Sequence, residues 1–287
     1  MSNLVKKFQN FSHQEKLWKK GDKIVLGVSG GPDSMCLLDI FLKLQKKYSL
    51  KLIVAHINYA LRGKDSQKDE TLVRKVCETN QCKLVVFKPK KKFEKNLEEN
   101  LRKVRYDFFE KTRKKYGFDL IAVAHNADDQ IETFFLNLFR GSGEKGLAGM
   151  KTRNERIIRP LLFCFKKEIL AYAKKEKIEF RLDKTNQEND FTRNKVRNLL
   201  IPYLEKKFNP NIKKVILRTV DNFSRQENQL ILELIKEVKG DLQGVTTSHV
   251  KEILKILKSQ KNKIQTFNFQ NLKIERRGDR LTIRKEK

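Results

Sequence analysis

A glycine-rich hexapeptide near the start of the chain constrains its fold more than any other feature. Ser29–Ser34 reads SGGPDS and directly follows the apolar run Ile24–Val28, which predicts a buried strand. The two glycines permit a tight turn whose backbone N–H groups can approach an anion. Pro32 suits the first turn of a helix, and the apolar residues after it predict one whose positive end faces the turn. The order of strand, turn and helix predicts a nucleotide phosphate site.

This loop differs from loops that serve transfer of a terminal phosphoryl group. No lysine follows its second glycine, as the pattern GxxxxGK[ST] requires, and the loop carries Asp33 instead. A carboxylate there is suited to hold Mg²⁺ between phosphates, in a reaction that releases pyrophosphate. Asp33 is therefore the predicted metal ligand. The residues predicted to bind ATP are Ser29, Gly30, Gly31, Pro32, Asp33 and Ser34. An ordinary strand-to-helix turn is the alternative interpretation of this motif alone.

Apolar, β-branched runs alternate with helical patterns along the first two thirds of the chain. The runs that predict parallel strands are Ile24–Val28, Leu52–Ile57, Lys83–Phe87 and Leu120–Ala124. Ligands bind beyond the carboxyl ends of such strands, where the segments His56–Gly63 and His125–Asp129 also fall. The predicted fold is α/β, with a Rossmann-like parallel-sheet catalytic domain over residues 1–205 and a second region over residues 206–287.

The second region predicts a small mixed α+β domain. Asn211–Lys239 and Ser248–Lys258 have helical patterns, and Ile264–Arg284 predicts short strands around the turn Arg277–Asp279. The first helix is predicted to link the two domains.

The charge is strongly positive throughout. Lys and Arg number 64 against 35 Asp and Glu, a net charge of +29, of which +11 falls in residues 206–287. So wide a positive field favours a nucleic acid partner, with a lysine-rich composition as the alternative explanation. The chain has no long apolar stretch and no signal-peptide pattern, which predicts a cytoplasmic protein without a membrane partner. Its cysteines are scattered without a CxxC pair, so buried thiols are expected rather than a metal site or disulfides.

A second polar cluster follows the run Leu120–Ala124. Asp128, Asp129 and Glu132 share one face of a predicted helix, close behind His125. Carboxylates grouped in this way attract Mg²⁺ or an amine and accept protons. The alternative is that the two aspartates are N-terminal charges favoured by the helix dipole. The glycine-rich segment Arg140–Leu147 downstream is either a loop that closes over substrate or a connector.

Together these motifs resemble the tRNA(Ile)-lysidine synthases, which are PP-loop ATP pyrophosphatases. The resemblance is close over residues 24–205 and loose beyond them. The motifs that carry it are Ser29–Ser34, His56–Arg62, Glu99–Tyr106, His125–Thr133, Arg140–Met150, Arg159–Leu162, Asp183–Asn186, Asp190 and Arg193–Arg197. Tyr59, Asn126 and Thr185 depart from residues common in the family, so no chemistry is assigned to them.

The resemblance implies that ATP adenylates the wobble cytidine of tRNA(Ile) with a CAU anticodon, and that free L-lysine then displaces AMP. It implies catalytic roles for Asp33, Arg105, Asp129 and Glu132. His56 and His125 are expected to line the nucleotide or base pocket. The implied cofactors are ATP and Mg²⁺, and the basic C-terminal domain is expected to bind tRNA. The oligomeric state stays open, with a homodimer as one alternative.

Three other functions compete with this one. A tRNA thiolase of the same superfamily, such as a 2-thiocytidine synthetase, usually needs paired cysteines, which the chain lacks. An enzyme that amidates a small molecule would not need the basic C-terminal domain. A non-catalytic RNA-binding protein would explain the charge but not the carboxylates, which repel phosphate.

Overall fold

The computed structural model confirms the predicted α/β architecture with a small second domain. The structure describes residues 3–61, 63–89, 97–182, 191–257, 259, 264–278 and 280–285. The predicted features Arg62, 183–186, Asp190 and Asp279 lie outside these residues.

The main sheet begins with four parallel strands whose bounds follow the predicted runs to within one or two residues. They are β1 Lys23–Gly27, β2 Lys51–Ile57, β3 Lys83–Phe87 and β4 Leu120–Ala122. A hairpin of two-residue strands, β5 Arg153–Asn154 and β6 Ile157–Ile158, extends the sheet beyond β4. In the described residues the strand order is β3-β2-β1-β4-β6-β5.

This order reverses direction at β1. The chain runs from β1 outward to β2 and β3, and then returns to place β4 on the other side of β1. Such a reversal leaves a crevice at the carboxyl ends of the two strands, where ligands bind in open parallel sheets. Because the phosphate loop follows β1 and the acidic cluster follows β4, the topology brings them to one place.

Helices cover both faces of the sheet, and β1 lies at its centre with Ile24, Val25 and Leu26 fully buried. A π-helical turn, Val196–Leu200, follows the helix Thr192–Lys195 and precedes the helix Ile201–Lys207. None of the described helices is both long and apolar enough to cross a membrane. The helices are α1 Asn3–Gln14, α2 Pro32–Tyr48, α3 Lys64–Thr79, α4 Leu97–Tyr116, α5 Ala127–Phe139, α6 Glu144–Leu147, α7 Lys166–Lys175, α8 Thr192–Lys195 and α9 Ile201–Lys207.

The chain forms two compact units, residues 1–140 with 149–217 and residues 141–148 with 218–287. The second contains its own core, in which Ile235, Ile253 and Leu272 are fully buried. The domain boundary near residue 205 stays a prediction. The remaining elements are α10 Ile212–Lys239, α11 Thr247–Leu257 and the antiparallel strands β7 Gln265–Phe269, β8 Leu272–Arg277 and β9 Arg280–Lys285.

Candidate active site

Hydroxyl groups of the phosphate loop hold the loop in shape. Ser34 Oγ accepts the backbone N–H of Ser29 at 3.1 Å and donates to the Gly31 carbonyl at 3.0 Å. Gly30 has a φ of +93°, in the region that favours glycine. Among the described residues, a Cβ at Gly31 would meet Ser29 Oγ alone, at 3.5 Å, so these residues leave the space beside the loop open. The loop is a preformed cradle, and the hydrogen bonds of the Ser34 hydroxyl stabilise its conformation.

A salt bridge braces this loop against α3. Arg181 donates its backbone N–H to the Gly30 carbonyl at 3.0 Å and its Nε to Asp69 at 2.7 Å. Asp69 is only 7% exposed, and its Cβ lies 3.4 Å from the position that a Cβ of Gly30 would occupy. Gly30 is therefore required by its backbone conformation, since a Cβ there would meet α3 only at an ordinary van der Waals distance. Sequence reasoning missed this brace, because Arg181 and Asp69 are 112 residues apart.

Asp33 lies in the first turn of α2, where three helices begin close together. Its Oδ1 accepts from Asn126 Nδ2 at 3.2 Å, and its Oδ2 forms an ion pair with the Lys166 ammonium group. Burial raises the pKa of Asp33, and Lys166 opposes that shift. The backbone N–H of Lys166 donates to Asp128 at 2.7 Å. Sequence reasoning missed Lys166, because it lies 133 residues from Asp33 and no local spacing connects the two.

A capping box fixes the first turn of α5. The Asn126 side chain accepts the Asp129 N–H, and Asp129 Oδ2 accepts the Asn126 N–H, both at 3.0 Å. Asp129 therefore has the helix-terminal role that the sequence left open as an alternative. Its Oδ1 lies 3.8 Å from Arg193 and 3.6 Å from Arg197. One carboxylate oxygen thus supports the helix, while the other faces cations.

Glu132 is the most enclosed carboxylate of the cluster, with a side chain 1% exposed. Arg197 binds both of its oxygens, through Nε at 2.6 Å and Nη2 at 2.8 Å, and Arg193 Nε donates to Oε2 at 2.8 Å. Although burial alone would lower it, the hydrogen bonds to Glu132 raise the pKa of Arg197. Because both oxygens are engaged by guanidinium groups, Glu132 is less available as a proton acceptor than the sequence suggested.

Two histidines stand at the ends of β4 and β2. Arg159 Nε donates to His125 Nδ1 at 3.2 Å, so the histidine is neutral with its proton on Nε2. Burial lowers the pKa of His125 to about 3; Asp129 opposes the shift, and Arg159 adds to it. His56 Nδ1 bonds the Val28 carbonyl at 2.9 Å, and its buried Nε2 has no partner among the described residues. Burial also lowers the pKa of His56.

The stability of the protein is expected to fall between pH 7 and pH 5. An unfolded histidine has a pKa near ~6.5, so below that pH the unfolded chain binds more protons than the folded one, and the free energy of unfolding decreases. For His125, with a folded pKa of about 3, the loss reaches about 2 kcal/mol at pH 5. Urea unfolding at both pH values measures it. His125→Gln should shrink the difference, and an unchanged pH dependence in that variant would contradict the assignment.

Arg105 approaches the crevice from α4. It is exposed, and its Nε lies 3.5 Å from the Tyr59 hydroxyl, which itself donates to the Leu101 carbonyl at 2.9 Å. Tyr59 follows the carboxyl end of β2. The structure thus anchors Arg105 near the carboxyl edge of the sheet, while direct contacts join Asp33 to the start of α5.

A cavity of about 470 Å³ opens beside this cluster. Asp128, Glu132 and Glu205 contribute carboxylates to its wall, and it is large enough for an amino acid. Lys213 lies 3.2 Å from Asp128 and 3.6 Å from Glu205. Both signs of charge are therefore available to a zwitterion. The other lining residues are Phe165, Lys166, Lys167, Leu170, Arg197, Ile201, Pro210, Asn211 and Lys214.

The site fits a nucleotide with Mg²⁺ better than a metal alone. Among the described residues, no group of three or more His, Cys, Asp or Glu side chains is placed to hold a metal ion. Mg²⁺ is commonly bound through one or two carboxylates together with substrate phosphates and water. Asp33, beside the open cradle, would supply such a carboxylate.

Comparison with known proteins identifies related chains. Residues 1–204 match the family described as the PP-loop domain. The tRNA(Ile)-lysidine synthase of Clostridium tetani is 45% identical over 219 residues, covering 74% of this chain and 47% of the relative. That of Caldanaerobacter subterraneus subsp. tengcongensis is 38% identical over 278 residues, covering 90% of this chain and 58% of the relative. The chain thus spans about half the length of these curated relatives.

A solved structure shares the fold at low sequence identity. The U34-tRNA thiolase NcsA from Methanococcus maripaludis, with its [4Fe-4S] cluster, superposes with a TM-score of 0.63 at 18% identity. The match covers 76% of this chain and 78% of the thiolase. At this identity the similarity shows the fold alone.

Proposed function

Because the chain belongs to the PP-loop domain family, we propose that it uses ATP to attach free L-lysine to C2 of the wobble cytidine of tRNA(Ile) with a CAU anticodon. The product is lysidine, and ATP is converted to AMP and pyrophosphate. The names of the relatives at 38–45% identity support this activity. The observation that carries it is the placement of an acidic cluster, with a cavity of amino-acid size, directly beside a phosphate cradle.

In the first half of the proposed reaction, the cytidine O2 attacks the α-phosphate of ATP. This step is needed because the base oxygen is a poor leaving group until it becomes part of a phosphate ester. Electrostatic stabilisation of the phosphates is the main requirement, and Asp33 would hold the Mg²⁺ that neutralises them. The neutral His125 is suited to contact the nucleotide or the base, and His56, whose buried Nε2 has no partner among the described residues, keeps its predicted place in the pocket lining. Arg105 is suited to contact the tRNA substrate or the activated intermediate.

In the second half, the amine of lysine attacks C2 and AMP leaves. A free lysine amine has a pKa near ~10.4, so only about one molecule in 10³ is neutral at pH 7, and the site must accept its proton. We assign this to Asp129, whose Oδ1 lies 3.8 Å from Arg193 and 3.6 Å from Arg197, beyond the hydrogen-bond distances that engage Glu132. Glu132, which forms ion pairs with Arg193 and Arg197, would hold these two guanidinium groups in place around the lysine substrate.

We also propose that tRNA is the macromolecular partner of the protein. The net charge of +29 supports binding of a polyanion, and we assign tRNA binding to the basic C-terminal region together with the catalytic domain. The wobble base must leave its stack to reach the crevice, which an anticodon loop permits at low cost. A cytoplasmic location and a homodimer remain predictions.

Sulfur transfer is disfavoured by the state of the cysteines. Burial raises the pKa of Cys36 and Cys77 to about 12 and that of Cys82 to about 11, and it raises the pKa of Cys164 as well. The thiolate is the form that attacks and that binds metals. Thiols held protonated at neutral pH are unsuited to either task.

Incubation with ATP, Mg²⁺, labelled lysine and CAU-anticodon tRNA(Ile) tests the activity. Nucleoside mass spectrometry is expected to show lysine covalently attached to cytidine, together with AMP. Methionine tRNA, which shares the CAU anticodon, is the matched control and should remain unmodified. Sulfur incorporation, or AMP release that does not depend on tRNA, would rule out the proposed function.

A further inference from the structure

The phosphate loop contains no basic residue, yet the structure supplies one from a distant part of the chain. Lys166, which is 133 residues beyond Asp33 in sequence, places its ammonium group on Asp33 Oδ2 at the edge of the cradle. A nucleotide polyphosphate that enters the cradle therefore finds a cation at its edge. In loops of the GxxxxGK[ST] type, a lysine reaches the terminal phosphates from within the motif.

The backbone of Lys166 is fixed, while its side chain retains access to solvent. Its N–H donates to Asp128 at 2.7 Å, and α7 packs on α2 through the Cys36 thiol, which lies 3.6 Å from the Ile169 carbonyl. The Lys166 side chain is 36% exposed and also lines the cavity beside Asp33. An ammonium on four methylene groups can change partners without any movement of the helix.

We infer that Lys166 is a catalytic residue that exchanges Asp33 for the β- and γ-phosphates of ATP and stabilises the departing pyrophosphate. This role rests on the proposed function for the identity of the attacking group. As cytidine O2 forms its bond to the α-phosphorus, the bond from that phosphorus to the bridging oxygen breaks. The electron pair stays on the bridging oxygen, so pyrophosphate leaves with an added negative charge and the ring carries the positive charge. No proton moves in this step, and the charge develops where Lys166 can meet it.

A purely structural role of the ion pair between Lys166 and Asp33 would change nucleotide binding in a different way. If Lys166 only held Asp33 in place, its loss would disturb the whole cradle and weaken the binding of every nucleotide equally. If Lys166 contacts the terminal phosphates, its loss should weaken the binding of ATP and of pyrophosphate. The binding of AMP should not change, because AMP lacks these phosphates.

Calorimetric titration of the full chain with ATP, pyrophosphate and AMP, each with Mg²⁺, separates these cases. Lys166→Met is expected to weaken ATP and pyrophosphate binding by about 10-fold to 100-fold, as for loss of one charge-assisted hydrogen bond, and AMP binding by less than about twofold. Lys166→Arg keeps the charge and should restore most of the pyrophosphate affinity. Lys174→Met, an exposed lysine in the last turn of the same helix, is the matched control and should bind all three as the wild type does.

Equal weakening of AMP binding and pyrophosphate binding would overturn the inference. So would equal losses in the Lys174 variant, or no measurable pyrophosphate binding by the wild type. Thermal unfolding verifies that each variant is folded. Because these titrations need neither tRNA nor lysine, they fail independently of the proposed function. A pyrophosphate-selective loss in a protein that does not incorporate lysine would reject lysidine synthesis and keep the role of Lys166.

Discussion

Replacement of Asp33 by alanine is expected to lower lysine transfer to tRNA by about 10³-fold while tRNA binding stays within about twofold of the wild type. Asp33 is the carboxylate at the edge of the cradle, bound by Asn126 and Lys166. Without it, the Mg²⁺ of the proposed reaction would lose the carboxylate assigned to hold it, and the start of α5 loses a contact to the loop. The net charge of +29, on which the proposed tRNA binding rests, changes little on loss of one carboxylate.

Two further variants locate the cause of this loss. Asp33→Asn keeps the shape and the hydrogen-bonding capacity but removes the charge, so a loss of similar size assigns the effect to metal and phosphate electrostatics. Asp39→Asn makes the same change on the same helix, away from the loop, and is expected to retain most of the activity. Initial rates of labelled lysine incorporation and fluorescence anisotropy with tRNA measure the two properties. Undiminished turnover by Asp33→Ala would remove this residue from the catalytic machinery.

The position of the site was predictable because strand and helix patterns are local. The runs around β1 and β4 are long enough to show their periodicity, and the strand-helix alternation places their carboxyl ends at one edge of the sheet. The two-residue strands of the β5–β6 hairpin are too short to carry a pattern. The π-helical turn Val196–Leu200 was not predictable either, because its apolar residues also fit an ordinary helix.

The pairing of charges within the site was not predictable from sequence. Lys166 reaches Asp33 across 133 residues, and Arg197 reaches Glu132 across 65. Such contacts depend on how helices pack, and no local spacing encodes them. The Asn126–Asp129 capping box is the exception, since it joins residues three apart and its residue types are those that favour helix starts. The sequence therefore identified which carboxylates share the crevice but not which of them are already paired.

Replacement of Glu132 by alanine is expected to lower both the free energy of unfolding and the capacity to bind lysine. Glu132 is 1% exposed and bonds Arg193 and Arg197, which are 19% and 36% exposed. Its removal leaves two partly exposed guanidinium groups with Asp129, at 3.6–3.8 Å, as a weaker partner. Loss of one member of a fully buried ion pair costs about 3–5 kcal/mol, and the solvent access of the arginines together with the proximity of Asp129 brings the expected loss to about 3 kcal/mol or less.

Glu132→Gln separates the structural loss from the functional one. It fills the same space and still accepts a hydrogen bond, so it should recover part of the stability while its neutral amide leaves the arginines uncompensated and lysine binding weak. Glu205→Gln is the control, because that carboxylate lines the same cavity but is 35% exposed and lies 3.6 Å from Lys213. An exposed pair of this kind is worth less than about 1 kcal/mol. Urea unfolding and the KM for lysine are the measurements. If Glu132→Ala unfolds within 1 kcal/mol of the wild type, the arginines do not depend on Glu132, and Asp129 is then their main counter-charge.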